Sequence, residues 1–271
     1  MNISAVVISY NPECELLFNN IKSYDKHVSQ IIIIDNSTDF EKKVIIEKFC
    51  HDNKFVYHDM NGNLGIGAAL NVGFDYAVKG NAEWVLTMDQ DSCFVTDLEG
   101  YKAYINNDEC ENVIALIPTY DYYGSIEVNN EKPSNPIIAP QSGNLVKLSN
   151  FIKLGPYRED YFIDFVDYEY CLRAKANELL IFKINSVKLS HEPGVRSSVS
   201  VFGVQYSYFE AAPMRYYYVI RNGLKTALIY RNFQSVYIVI KTAMRVLFLE
   251  DKKRVKLKFV WKGFLIFLNF S

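Results

Sequence analysis

No run of about 18 or more uncharged apolar residues occurs in the 271-residue chain, so no membrane-spanning helix is expected. Cysteine is scarce: five residues, Cys14, Cys50, Cys93, Cys110 and Cys171, are scattered and odd in number, with no Cys-x-x-Cys pair. That pattern argues for a reducing compartment and against a structural zinc site. Met1-Asn2-Ile3-Ser4 leads straight into a strand-like run, with neither a basic n-region nor an apolar h-region, so no secretory leader is expected. There is no Gly-x-Gly-x-x-Gly turn and no Gly-Lys-Ser/Thr, which sets aside dinucleotide dehydrogenases and P-loop enzymes. A Gly-rich triphosphate loop near the N-terminus, expected of a sugar nucleotidyltransferase, is also missing. Internal repeats and low-complexity segments are absent.

What is present suits a large folded core. Hydrophobic residues make up 49% of the chain and charged residues 22%, with 20 Tyr and 18 Phe. The aromatics suit either aromatic-lined clefts or an aromatic-rich core. The formal net charge of −2 hides an asymmetry. From Arg215 to Ser271 there are 12 Lys/Arg against 2 Asp/Glu. A tail this basic points to an anionic partner, membrane or nucleic acid. Nucleic acid is disfavoured, because no readout motif accompanies the basic residues.

The first third alternates between strand and helix patterns. Ile3 to Ser9, Gln30 to Ile34, Phe55 to Tyr57 and the run from Trp84 that closes on the two carboxylates of Asp89-Gln90-Asp91 read as buried strands. Helices are expected with Pro12 in the first turn, over Glu41 to Cys50 with Val44, Ile45, Lys48 and Phe49 at helical spacing, and over Ala68 to Val78. Such alternation implies a parallel sheet with right-handed crossovers. Farther on, Leu98 to Ile105 reads as a helix, Val113 to Ile117 as a strand, and Tyr120 to Asn135 as a hairpin or surface loop. Leu180 to Ile184 and Val187 to Ser190 read as strands. From Met214 the pattern is helical, then over Val236 to Leu249 and Val255 to Phe270.

Chemistry concentrates at strand ends: Ser9-Tyr10-Asn11, Asp35-Asn36-Ser37 and Asp89-Gln90-Asp91. In a parallel sheet these line one crevice, where open α/β sheets bind ligands. Asp35 either accepts from a base or ribose, or helps cap the next helix with Ser37 or Asp39. Asn63-x-Gly65 brings backbone amides and a helix N-terminus toward the same edge. Asp91 can hold a divalent cation whose shell a phosphate-bearing substrate completes. His191, at a strand end, is either structural or a metal ligand. In Asp164-Phe165-Val166-Asp167-Tyr168-Glu169, spacing places Asp164 and Asp167 on one face of a helix. They are either dipole partners at its N-terminus or a general base among Phe162, Phe165, Val166 and Tyr168.

These stretches, with Asn63 to Gly73, Phe162 to Arg173 and Arg215 to Asn222, resemble inverting family-two glycosyltransferases of the GT-A fold, above all bacterial rhamnosyltransferases of polysaccharide assembly. The resemblance runs from residue 3 to about 225. It implies a Rossmann-like α/β fold, with a mainly parallel central sheet flanked by helices and a C-terminal helical extension. The implied plan is a catalytic domain over 1–213, with a nucleotide-sugar half at 1–95 and an acceptor half at 96–213, and a basic helical extension at 214–271. Asp167 aligns with the family's catalytic base, although Val166 stands where the family usually has Glu; Asp164 is the competing carboxylate. Ser9, Tyr10, Asn11, Asp35, Asn36, Asn63, Gly65, Asn71, Asp89 and Gln90 are implied donor contacts. Asp164, Gly143 and Arg221 are implied on the acceptor side, and Asp91 and His191 as ligands of Mn2+ or Mg2+. The implied donor is dTDP-L-rhamnose, with UDP-galactose or UDP-glucose as the alternative, and the acceptor a saccharide or lipid-linked saccharide. A non-catalytic nucleotide-sugar-binding protein of the same fold is the reading from another class; the joint presence of Asp91, Asp167 and His191 speaks against it. A cytoplasmic protein is expected, peripheral on the inner membrane face through 236–271, with Lys241, Arg245, Lys252 and Lys256 on one face if the helix runs unbroken and Glu250-Asp251 as the point where it would break. Packing on the catalytic domain or a homodimer contact is the competing role for that segment.

Overall fold

The computed structural model describes residues 1–106, 111–121, 134–191, 196–201 and 204–268, with backbone alone for 191, 196, 200, 201, 204, 206 and 209. The chain divides into two compact units: Met1–Asp160 with Tyr170–Glu192, and Tyr161–Glu169 with Pro193–Ser271.

The first unit is organised by an eight-stranded sheet: β1 (Ile3–Ser9), β2 (Gln30–Asp35), β3 (Val56–Asp59), β4 (Trp84–Asp89), β5 (Ser92–Phe94), β6 (Val113–Asp121), β7 (Asn144–Lys147) and β8 (Leu180–His191), in the order β3-β2-β1-β4-β7-β6-β8-β5. The first four are parallel, with Ser9 opposite Asp35 and Asp35 opposite Asp59. The register therefore brings three polar strand ends to one edge. All seven residues of β1 are buried, as expected of a strand covered on both faces. Helices α1 (Cys14–Ile21), α2 (Phe40–Asn53), α3 (Ile66–Lys79), α4 (Glu99–Ile105) and α5 (Leu148–Leu154) belong to this unit, and α6 spans Val166–Ala176. The expected α/β architecture is thus present.

Several local expectations are corrected. Pro12 lies ahead of α1, whose N-cap is Glu13, because Asn11 turns the chain first with a φ of 44°. On α2, Val44 and Ile45 are exposed, while Ile46 and Cys50 are buried. Val44-Ile45-Ile46 covers most of a helical turn, so periodicity does not choose among them. The two strands expected between Leu180 and Ser190 are one, β8; the register against β6 jumps between Ile117↔Lys183 and Thr119↔Lys188, which absorbs the polar Asn185-Ser186 as an irregularity. Most of the Tyr120–Asn135 loop lies outside the described residues.

The second unit holds a hairpin, β9 (Arg196–Val201) with β10 (Val204–Phe209), and three helices, α7 (Pro213–Tyr230), α8 (Phe233–Phe248) and α9 (Lys253–Leu268). Local chemistry sets the helix boundaries. Pro213 occupies the first turn of α7, where its missing N–H costs nothing. Arg231 ends α7 in the left-handed conformation, and the Asn232 side chain caps α8 by accepting from the Ser235 amide at 2.8 Å. The expected end at Phe270 lies outside the described residues. No helix among the described residues is long and apolar enough to cross a membrane.

The continuous basic face expected on the tail is not formed, because the chain breaks between α8 and α9 and two of its charges, Arg245 and Lys256, turn inward. Glu250 is fully buried. It accepts from Arg245 Nε at 2.6 Å, from Lys256 Nζ at 2.9 Å and from the Tyr216 hydroxyl. Lys256, 2% exposed, also donates to Glu210 at 2.6 Å. Burial works against the Lys256 ammonium, but its bonds to Glu210 and Glu250 prevail and raise its pKa. Burial, reinforced by the bond to Glu250, pushes the Tyr216 phenol up to about 12. Such a cluster joins α7, α8 and α9 and tolerates no single deletion: removing one partner of a buried ion pair costs about 3–5 kcal/mol.

Candidate functional site

The edge at the carboxyl ends of β1, β2 and β4 is laced together by side chains. Asp35, fully buried at the end of β2, accepts at Oδ1 from Ser9 Oγ (2.9 Å) and the Ser37 amide (3.0 Å), and at Oδ2 from the Tyr57 hydroxyl (3.0 Å). Burial pushes the Tyr57 phenol up, and the Asp35 charge adds to the shift, so Tyr57 remains a donor at any physiological pH. Asp35 does not cap α2; Asp39 does, accepting from the Glu41 and Lys42 amides. The side chain of Asn11 joins the β1 end to the β2–α2 loop, accepting from the Thr38 and Asp39 amides at 3.0 Å each. Asn36 does the same for the next loop, donating to Gly65 O and accepting from the Leu64 amide. Asn63 accepts from the Gly65 amide at 3.1 Å, and Gly65, with φ of 91°, caps α3. Only glycine takes that backbone readily. Gln90 accepts from the Tyr10 amide at 2.7 Å, pinning the exposed Tyr10.

The cradle extends beyond the residues expected from sequence. Ser142 Oγ accepts from the Asp89 amide at 3.0 Å, and Thr87 donates to Gln141 O at 2.6 Å. Gln141 to Gly143 therefore lie against the end of β4. Gly143 has φ of 82°, and a side chain there would stand 2.9 Å from Pro118 and Leu189. Its buried setting is a packing site, with Tyr101 donating to its carbonyl. Asn71 faces the 157–159 segment, bonding to the Tyr157 backbone in both directions and to Glu159. The Asn71 amide is thus engaged by protein groups. Tyr57 and Ser142 are the two contributors that pattern reading missed; both sit in strands or turns that carried no motif.

Asp91 follows β4 in a tight turn, exposed, and its carboxylate accepts from Ser92 Oγ at 3.5 Å. β5 and β8 pair antiparallel with Ser92 opposite His191. Asp91 thus immediately precedes the β5 residue that pairs with His191, whose side chain lies outside the described residues. Among the described residues no group of three or more His, Cys, Asp or Glu side chains could hold a metal. One carboxylate plus one imidazole fits a hard divalent ion that keeps most of its shell for substrate oxygens and water.

The second unit carries the other carboxylates. The expected shared helix face is not formed: Asp164 precedes α6, with φ of 59°, while Asp167 lies in its first turn. Arg215 grips Asp164 with a two-point fork, Nη2–Oδ1 at 2.6 Å and Nε–Oδ2 at 3.1 Å. The bond to Asp164 raises the Arg215 pKa despite burial. Asp167 Oδ1 accepts from the Tyr168 amide at 2.8 Å, flanked in sequence by the buried Phe165, Val166 and Tyr168. Arg221 stacks on Tyr217 and Tyr218 and donates to Asn222 Oδ1 at 2.9 Å.

Comparisons with known proteins bear on this arrangement. A family profile described as Glycosyl transferase family 2 matches residues 4–162. The dTDP-rhamnosyl transferase RfbF of Shigella flexneri is 27% identical over 238 residues, 82% of this chain and 78% of that protein. The low-salt glycan biosynthesis hexosyltransferase Agl10 of Haloferax volcanii is 22% identical over 218 residues, 72% of this chain and 68% of that protein. Among solved structures, GalNAc-T7 with UDP, GalNAc and Mn2+ has a TM-score of 0.65 at 12% identity; the match covers 99% of this chain but 56% of that one. S. aureus TarS 1–349 in complex with UDP-GlcNAc gives 0.53 at 16% identity, covering 100% of this chain and 74% of that one. At such identities the structural likeness speaks for the GT-A-like fold alone.

Proposed function

Because the chain belongs to glycosyl transferase family 2, we propose that it is an inverting glycosyltransferase that moves L-rhamnose from dTDP-L-rhamnose to a saccharide or lipid-linked saccharide in cell-surface polysaccharide synthesis. The similarity to RfbF over most of both chains carries the choice of donor. The strand-end cradle supports the reaction class. In this reading residues 1–95 bind the nucleotide sugar, 96–213 the acceptor, and 214–271 form the basic extension.

The chemistry assigned to each residue follows from its setting. Asp35 holds Ser9, Ser37 and Tyr57 in one rigid unit, against which base and ribose rest with the Tyr10 and Asn11 loop. Asn36, Asn63 and Gly65 shape the loop before α3, whose N-terminus favours the diphosphate. Gln90 fixes the loop over the donor, and Asp89 accepts from ribose or sugar hydroxyls. Asp91 and His191 would ligate Mn2+ or Mg2+ together with the diphosphate, and such an ion supplies charge neutralisation to the leaving group. Asp167 takes the proton of the acceptor hydroxyl as its oxygen attacks the anomeric carbon in line.

A panel of nucleotide sugars in a thermal-shift assay tests the donor. With Mg2+ or Mn2+, dTDP-L-rhamnose is expected to raise Tm most, because a ligand bound only by the folded state at 100 times its Kd adds about 2.7 kcal/mol. A larger shift with UDP-galactose or UDP-glucose reassigns the donor; no shift with any member removes the nucleotide-sugar reading.

The helical tail supports a membrane-facing role in modified form. On α8, Phe233, Tyr237, Ile240, Met244 and Phe248 are all roughly half exposed or more and recur every three or four residues, which is one helix face. Lys241, Lys252, Lys253, Arg254, Lys258 and Lys262 are exposed on α8, α9 and the turn between them. An apolar face with exposed cations suits an anionic bilayer surface, at about 1 kcal/mol per basic residue. Truncation at Glu250 would break the buried ion cluster, so point variants are the better probe. The whole chain is expected to sediment with phosphatidylglycerol vesicles at low salt, and Phe233→Ser/Ile240→Ser to remain largely in the supernatant. Equal partitioning rules out this face as the anchor.

A further inference from the structure

We propose that Asn222 is a positioning residue for the catalytic step: it holds the loop ahead of α6 in a left-handed path that sets the aim of Asp167. The inference rests on Asp167 being the base.

The loop is strained. Phe162, Asp164 and Phe165 have φ of 62°, 59° and 65°, a backbone region that L side chains, aromatic ones above all, occupy only when something compels them. The compulsion comes from one face of α7. The buried Asn222 amide nitrogen lies among three backbone carbonyls of the loop, Tyr161 O at 2.9 Å, Ile163 O at 3.0 Å and Asp164 O at 2.8 Å, which share its two N–H donors. Its orientation is not arbitrary: Arg221 Nε donates to Asn222 Oδ1, so the NH2 group must face the loop. Two turns before it on α7, Arg215 forks onto Asp164, and one turn after it Thr226 bonds the Tyr161 hydroxyl at 2.9 Å. Next to Asn222, Gly223 leaves room for the Phe165 ring, which a Cβ would approach to 3.0 Å.

This arrangement separates the roles of the two carboxylates. Both oxygens of Asp164 are committed to Arg215, which makes Asp164 the counter-ion that ties the loop to α7. Asp167 sits immediately beyond the left-handed run, at the first turn of α6. The direction in which α6 leaves the loop depends on those three φ values, and with it the aim of Asp167. Strain held by an over-determined surround at such a point has a purpose in aiming a side chain.

The test uses the whole chain and steady-state kinetics with donor and acceptor varied separately. Asn222→Ala is expected to lower kcat about 100-fold, as a misplaced catalytic group does, with the donor KM unchanged. Adding Phe162→Gly, which takes the left-handed backbone freely, should restore about tenfold or more. A residue that merely stabilised the fold would lower the folded fraction, not kcat per folded molecule, and glycine would bring no recovery; either result overturns the proposal. If Asn222→Ala does not accumulate as folded protein, Arg215→Gln takes its place with the same second change and the same criterion. Asp167→Asn is assayed in parallel. An active Asp167→Asn enzyme dismisses the base assignment, whereas an inactive one with no glycine rescue dismisses only the role of Asn222.

Discussion

Asp167→Asn is expected to lower turnover roughly 100- to 10,000-fold, the usual consequence of removing a general base, with donor affinity nearly unchanged. The substitution is isosteric and keeps the acceptor oxygen that meets the Tyr168 amide, so the first turn of α6 should survive it. What is lost is the capacity to take a proton. Asp164→Asn is the control. It weakens the fork to Arg215, yet Asn tolerates a left-handed backbone better than most residues, so a milder loss is expected, on the order of tenfold for one weakened charge-assisted pair. If Asp164→Asn is crippling and Asp167→Asn mild, the assignments are reversed.

The reason for preferring Asp167 was only half visible in the sequence. The cluster Asp164-Phe165-Val166-Asp167 marks a concentration of carboxylates, and helical spacing puts the two aspartates on one face. The structure denies that face, because Asp164 lies before the helix begins. No periodicity argument detects a left-handed run of Phe162, Asp164 and Phe165, since the residues that enforce it, Arg215 and Asn222, are about 50 positions away. Local signals did better where the physics is local. Continuous apolar runs mark β1, β2 and β4 because a sheet covered on both faces needs them, and the polar residues that close those runs mark the candidate binding edge. Asn11 and Asn36 were legible as candidate site residues, but their work as loop-to-loop ties was not, because it depends on which strands are neighbours. The tail shows the same limit. Its charge excess is plain from composition, yet Arg245 and Lys256 are drawn inward by one carboxylate, Glu250, that looked like a helix breaker. The hairpin of β9 and β10 and the short α5 carried no distinctive pattern and were missed.

Asp91→Asn is expected to abolish metal-dependent donor binding while leaving the fold intact. Asp91 is exposed and lies in a two-residue turn between β4 and β5, so its replacement removes charge without opening a cavity, and surface substitutions of that kind usually stay within about 0.5 kcal/mol of the parent. The effect on the ion should be large for a different reason. Few protein groups contribute to the proposed site, and a neutral amide is a far poorer partner for a hard divalent cation than a carboxylate. Two measurements check this without relying on turnover. In the parent, dTDP-L-rhamnose should raise Tm more with Mn2+ than with EDTA; in Asp91→Asn the two conditions should give the same small shift. Paramagnetic broadening by Mn2+ of donor phosphate signals should likewise be seen only with the parent protein. His191→Ala should reproduce both results in weaker form if the imidazole is the proposed second ligand, a role for which the pairing of Ser92 with His191 gives the backbone proximity. Full activity of the parent in EDTA, or unchanged metal dependence in Asp91→Asn, would show that the diphosphate is neutralised by other groups.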